Sequence, residues 1–229
     1  MAFTVRVPVG VVAAITPINV PLNLVCHKIG PGIAGGNSIV LKPAEVTPIS
    51  ALKLAELFEK AGLPKGRFNV VTGNGPEIGE WLLKNKDVNM FTFTGSPRVG
   101  ELIREKAGLR KVALELGNNS ATIVHSDADL ERATTLIAQK SFNNAGQVCI
   151  SVQRVYVHKD IYETFVALLK EKTEKFKLGN PLDEKTDIRP MIRESDAIRV
   201  ESWVNEAVNQ GGTIITGEKG MVLFIRQPF

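Results

Sequence analysis

Cysteine is scarce in this chain. Its 229 residues include two, Cys26 and Cys149, which excludes a disulfide-stapled scaffold and points to a reducing, cytoplasmic setting. Neither charge sign dominates: 28 Lys and Arg stand against 24 Asp and Glu, a formal net charge of +4, and aromatics make up 6%. Apart from short knots such as residues 170–177, acids and bases are interspersed. The chain therefore lacks the basic stripe with interleaved aromatics that a nucleic-acid partner requires. No run of ~18 apolar residues occurs, so no membrane span or membrane partner is expected. The apolar start, residues 1–15, holds its one base, Arg6, internally, is broken by Pro8 and precedes no small-residue cleavage site, unlike a signal peptide. His27, His125 and His158 are scattered and no His, Cys, Asp and Glu cluster has ligand spacing, so no metal is expected.

What is present is ordinary globular material, 44% hydrophobic and 23% charged, enough for one large domain or two small ones. Residues 9–15 and 38–41 are continuous apolar runs, the pattern of strands buried on both faces. Between residues 51 and 61, Ala51, Leu54, Ala55, Phe58 and Ala61 recur at helical steps, and Gly62 and Pro64 stop the helix. Strands at 68–71, 90–94 and 111–116 alternate with helices at 77–83 and 97–107. This alternation predicts an α/β fold, a doubly wound parallel sheet with ligands at the carboxyl ends of its strands. The pattern restarts after Gly117. Strands are predicted at 121–124, 152–157 and 213–215, and helices at 129–142, 161–177 and 195–210.

Several residues at predicted strand ends admit both a chemical and a purely structural reading. Cys149, in a small polar loop behind Gly146, is a nucleophile or a buried small hydrophobe. Cys26, with apolar neighbours in a helical pattern, reads as packing. Glu115 ends a strand and is either turned to solvent or buried for a task. Asn19, between Pro17 and Pro21, caps the following helix or donates to an oxyanion. Lys42 and Glu45 read as a surface ion pair, or as a grip on ribose hydroxyls. Thr94-Gly95-Ser96-Pro97 starts a helix well, with Ser at the N-cap and Pro at N1, and the same geometry admits a phosphate. No Gly-x-Gly-x-x-Gly follows the first strand, which argues against an ordinary Rossmann dinucleotide site.

Their order is more informative than any one of them. Thr16-Pro17-Ile18-Asn19, Lys42-Pro43-Ala44-Glu45, Phe93-Thr94-Gly95-Ser96, Glu115-Leu116-Gly117 and Gly146-Gln147-Val148-Cys149 together resemble the aldehyde dehydrogenase superfamily, from about Arg6 to Gly217. The resemblance implies oxidation of an aldehyde to a carboxylic acid with NAD or NADP through a cysteine thioester. It implies a Rossmann-like cofactor domain over residues 1–117 and part of an α/β catalytic domain over 118–217. Cys149 is then the nucleophile, Glu115 the general base and Asn19 the oxyanion amide. Lys42 and Glu45 hold the adenosine ribose, while Gly95 and Ser96 meet the pyrophosphate. Ile15, Thr16, Pro17, Ile18, Pro43, Ala44, Gly75, Phe93, Thr94, Leu116 and Gly117 complete the cofactor site. A Glu on the ribose repels a 2′-phosphate, which favours NAD over NADP.

Three departures from the family pattern stand out. Ile18 replaces a frequent aromatic residue, Asn118 replaces a second Gly and is expected to restrict the backbone, and Ile150-Ser151 resembles the branch handling small oxygenated aldehydes such as lactaldehyde. Family members form homo-oligomers and are about twice as long. Segments at both ends, including the oligomerisation strand, are expected to be missing here. Residues 218–229 fit no family pattern and are expected to be a frameshifted tail, since a degenerate coding string read two nucleotides in spells the family's continuation. Two other functions fit the same residues: an inactive remnant that at most binds nucleotide or a partner chain, and a cysteine-dependent esterase.

Overall fold

The computed structural model describes residues 1–217 and 223–226. The chain divides into two compact units, Met1–Gly117 and Asn118–Phe229. The first comprises β1 (Val11–Ile15), α1 (Asn23–Ala34), β2 (Ser38–Lys42), α2 (Ile49–Lys60), β3 (Phe68–Val70), α3 (Gly75–Lys84), β4 (Val88–Gly95), α4 (Pro97–Lys106) and β5 (Lys111–Leu116). All five strands are parallel, in the order β3-β2-β1-β4-β5. The chain winds outward from β1 to β3, then crosses back to place β4 on the other side of β1. That reversal falls between β1 and β4, and open α/β sheets take their ligands at the carboxyl ends of the strands flanking such a switch point.

Each sheet face has its own apolar layer. Val12, Ala14, Ile39 and Leu41 pack against Val25 and Ile29 of α1 and Ala51 of α2. Ala13, Phe91 and Phe93 pack against Ile78, Leu82 and Leu83 of α3 and Ile103 of α4. Fully burying a side chain such as Ile29 contributes about 1.5–3 kcal/mol, and such contacts on both faces explain the continuous apolar run of β1. β5 differs from a strand buried on both faces. As the sheet's edge it buries only one side: Val112, Leu114 and Leu116 join the α3–α4 layer, while Lys111, Ala113 and Glu115 are exposed. The α1–α2 layer centres on β1 and β2 and does not reach β5.

The second unit comprises β6 (Ala121–Val124), α5 (Leu130–Phe142), β7 (Arg154–Val157), α6 (Tyr162–Glu174), α7 (Glu194–Asn209), β8 (Gly212–Thr216) and β9 (Leu223–Arg226). β6 and β7 pair in parallel, and β8 and β9 antiparallel. Val124, Ile137, Ala138, Phe165 and Leu169 form the core between the β6–β7 ribbon, α5 and α6. Asp129 caps α5 by accepting from the Arg132 N–H at 3.0 Å. The Lys172 ammonium, in turn, ties α6 to Glu131 and Thr135 at 2.6 and 2.8 Å. α6 ends at Glu174 rather than at residue 177, where Phe176 leaves the helix and meets Phe142 edge-on at 6.3 Å.

His125 and His158 are not scattered. The parallel register sets Val124 against Val157, so the residues that follow bring their rings to 5.2 Å, tilted by 59°. Of the expected frameshifted tail, residues 218–222 and 227–229 lie outside the described residues. No helix among the described residues is long and apolar enough to cross a membrane, and none of their His, Cys, Asp and Glu groups could hold a metal ion.

Candidate active site

In the first unit, parallel pairing delivers four of the five motifs to one sheet edge. Ile15 lies opposite Lys42 on one side and Phe93 on the other, Thr94 opposite Glu115, and Gly95 opposite Leu116. Thr16, Pro17 and Ile18 continue from β1, Pro43 and Ala44 from β2, Ser96 from β4 and Gly117 from β5. Residues distant in sequence thus share the carboxyl edge because the strands that carry them are neighbours.

Lys42 is no surface lysine. It is 5% exposed, its ammonium is 3.9 Å from the Glu45 carboxylate, and burial holds its pKa below the ordinary lysine range, opposed by the Glu45 charge. Glu45 also accepts from the backbone N–H of Gly75, in the first turn of α3. A Cβ on Gly75 would stand 3.3 Å from the Glu45 carboxylate and 3.6 Å from the Lys42 ammonium. Gly75 therefore keeps open the space on which both charges converge. An ammonium has three donors to satisfy, and among the described residues its close partner here is one carboxylate at the limit of an ion pair. A hydroxyl-bearing ligand suits this cradle.

Two other polar groups at this edge lack partners among the described residues: Thr16 Oγ1 and Asn19 Oδ1 are buried without a hydrogen bond. Each such group costs about 1–3 kcal/mol while unsatisfied, so a ligand able to pair with them is favoured. Asn19 does not cap the following helix, because α1 begins after Leu22 with no side-chain cap. At the end of β4, a Cβ on Gly95 would lie 2.4 Å from the Phe93 ring, so only Gly fits there without moving the ring. Ser96 is the N-cap of α4, yet its hydroxyl caps nothing, and Pro97 follows. The first-turn N–H groups of α4 are left for an anion.

Glu115 is exposed on the uncovered side of β5, with a cation beside it that the sequence reading missed. Lys28 of α1 donates to Thr92 Oγ1 at 3.1 Å; burial lowers its pKa, and the Glu115 charge opposes that shift. The signal was available, since Lys28 is the one Lys, Arg, Asp or Glu in α1. A lysine depressed in this way destabilises the fold most at low pH, where both folded and unfolded chains carry the ammonium. As pH rises through the folded pKa the folded chain sheds its proton first, and the penalty is relieved up to the unfolded value. Lys28→Met is therefore expected to melt at or above the parent temperature at neutral pH, with the difference shrinking in alkaline buffer. Thermal melts across pH test this, and a variant that melts lower throughout would overturn it.

The fifth motif lies in the second unit. Cys149 is partly buried, whereas Cys26 is exposed on α1, because Val25 and Ile29 take the inward positions there. Cys26 is not packing. The approach to Cys149 is a short turn, Asn143–Gly146, in which Asn144 (φ 53°), Ala145 (φ 56°) and Gly146 (φ 74°) are all left-handed. Only Gly takes that conformation freely, and each of the other two costs of order 1–3 kcal/mol. Side chains hold the turn. Gln147 donates from its backbone N–H and its Nε2 to the Asn144 carbonyl, at 3.1 and 2.9 Å, and accepts from the Ile192 N–H at 3.0 Å. Asn118 donates to the Cys149 carbonyl and accepts from the Ser120 N–H at 2.9 Å. Its side chain thus bonds the backbone of Cys149, a contact that the expected local restriction did not include.

The aldehyde dehydrogenase family profile covers residues 1–224. The chain belongs to the aldehyde dehydrogenase family. A 3-sulfolactaldehyde dehydrogenase of Priestia aryabhattai is 77% identical over 219 residues, covering 96% of this chain and 46% of the relative. A lactaldehyde dehydrogenase of Methanococcus vannielii is 48% identical, covering 94% and 47%. Among solved structures, a glyceraldehyde-3-phosphate dehydrogenase of Methanocaldococcus jannaschii complexed with NADP superposes with a TM-score of 0.90 at 44% identity, covering 96% of this chain and 49% of that one. This aldehyde dehydrogenase chain spans about half the length of the curated relatives it matches.

Proposed function

We propose that the chain takes part in oxidising a small oxygenated aldehyde to its carboxylic acid with NAD, through a thioester on Cys149. A 2-hydroxyaldehyde such as 3-sulfolactaldehyde, the substrate named for the relative at 77% identity, is the reference substrate. The observation that carries this reading is the row of polar groups on one sheet edge, with Thr16 Oγ1 and Asn19 Oδ1 buried and unpartnered among the described residues. It runs from the buried Lys42 beside Glu45 and Gly75, through Thr16 and Asn19, to Glu115 with Lys28.

In this reading the Cys149 thiolate attacks the aldehyde carbon, and the carbonyl oxygen becomes an alkoxide. The Asn19 carboxamide and the Cys149 backbone N–H donate to that oxygen, and one such donor is typically worth about 3–4 kcal/mol. When bound, the nicotinamide supplies the hydride acceptor. Loss of hydride from the hemithioacetal carbon leaves a thioester on Cys149. Glu115 then takes a proton from water, the resulting hydroxide attacks the thioester, and the thiolate leaves with the released electron pair.

Cofactor contacts follow from the same edge. Lys42 and Glu45 hold the ribose hydroxyls; Gly95, Ser96 and the first turn of α4 take the pyrophosphate. Ile15, Thr16, Pro17, Ile18, Pro43, Ala44, Gly75, Phe93, Thr94, Leu116 and Gly117 line the remainder. The Glu45 carboxylate repels a ribose 2′-phosphate, which favours NAD, although the archaeal neighbour was solved with NADP.

The test is incubation of the purified chain with 3-sulfolactaldehyde and either NAD or NADP, following the reduced cofactor by absorbance. Faster turnover with NAD is expected. Hydrolysis of activated esters without reduction of cofactor would replace this reading by the esterase. Activity of neither kind would leave an inactive remnant.

A further inference from the structure

We propose that Gln147 is a positioning residue for the nucleophile: its carboxamide locks the left-handed turn before Cys149 and so aims the Cys149 N–H and Sγ at one reacting carbonyl. The inference rests on Cys149 being the nucleophile, and goes beyond it by naming what holds that residue in register. Three consecutive left-handed residues, two of them not Gly, do not persist unless their surroundings fix them. Gln147 is built to do so. One end of its amide closes the turn on the Asn144 carbonyl at 2.9 Å, and the other end takes the N–H of Ile192, 45 residues later in the chain, at 3.0 Å. Asn118 restrains the opposite side by donating to the Cys149 carbonyl.

Gln147 stands two residues before the sulfur, so its own side chain need not touch substrate. Its effect passes through the backbone. If the turn relaxes, the peptide N–H of Cys149 rotates away from the alkoxide, whereas the thiol itself remains intact.

That distinction supplies a test that needs no nicotinamide. Acylation by p-nitrophenyl acetate forms a bond between Cys149 Sγ and the acyl carbon through a tetrahedral alkoxide. The p-nitrophenolate leaves with its bonding electrons, and the thiol proton passes to buffer. Alkylation by iodoacetamide displaces iodide in one step and develops no oxyanion. In Gln147→Met, which keeps length and bulk but neither hydrogen bond, acylation of Cys149 is expected to slow about 10- to 100-fold. Alkylation of the same thiol, mapped by mass spectrometry with the exposed Cys26 as internal reference, is expected to change less than about threefold.

Acylation unchanged in the variant overturns the proposal, and so does an equal fall in both reactions, which marks a thiol that has lost access or a unit that has loosened. Failure of the underlying reading looks different. Acylation that survives Cys149→Ala, or that is absent from the parent chain, removes the nucleophile and its positioning together.

Discussion

Cys149→Ala is expected to abolish aldehyde oxidation, lowering turnover by at least about 10⁴-fold, while the melting temperature stays within a few degrees of the parent. The magnitude follows from the role. Without a sulfur no covalent intermediate can form, and a nucleophile acting as a unit with its oxyanion donors carries most of the rate enhancement when removed. The small stability change follows from burial: Cys149 is only partly buried and lies outside the apolar core of its unit. Cys26→Ala is the matched control, since that thiol is exposed on α1. The measurement is reduced-cofactor formation by absorbance, with intact-mass spectrometry for the acyl adduct. Oxidation that persists in Cys149→Ala, or is lost in Cys26→Ala, would reverse the assignment of the two cysteines.

Much of the first unit was legible because its strands are short apolar runs and its helices carry clear stripes. Strands 38–41 and 111–116 were recovered almost to the residue, and the parallel, doubly wound order followed from their alternation with helices. Periodicity, however, reports which residues prefer burial, not which layer reaches them. The run in β5 read as a strand, but its edge position, with one side uncovered, depends on where α1 and α2 end. Cys26 failed for the same reason. Its neighbours are apolar, yet the helical phase that buries Val25 and Ile29 turns it outward.

Long-range polar contacts were the least legible feature. Lys42 and Glu45 are three apart and looked like a surface pair; what directs the carboxylate is the Gly75 N–H, 30 residues beyond Glu45. Lys28 meets Thr92 across 64 residues, and only the sheet order makes them neighbours. The histidines that follow β6 and β7 are brought together by strand register, which no local pattern carries. Motif order, by contrast, carried more than any local pattern, because four of the five motifs sit at strand ends of the first unit, where the parallel sheet converts that order into adjacency.

Glu115→Gln is the second large effect, and its form is more informative than its size. Amide and carboxylate have nearly the same shape, so the strand end should be undisturbed, but an amide cannot accept a proton from water at neutral pH. The first turnover is therefore expected to proceed and later ones to stall. The expected record is a burst of reduced cofactor of about one equivalent, then a steady rate lower by about 10²- to 10⁴-fold. During the stall the thioester should accumulate on Cys149 and appear as an added acyl mass. Hydroxylamine, nucleophilic without deprotonation, is expected to release the acyl group as a hydroxamate and restore turnover. Lys28 sharpens the comparison. The Glu115 charge opposes the burial that lowers the Lys28 pKa, so neutralising it should lower that pKa further. A variant with neither burst nor adduct would show that the carboxylate acts before acylation, and one with full steady-state turnover would remove Glu115 from the chemistry.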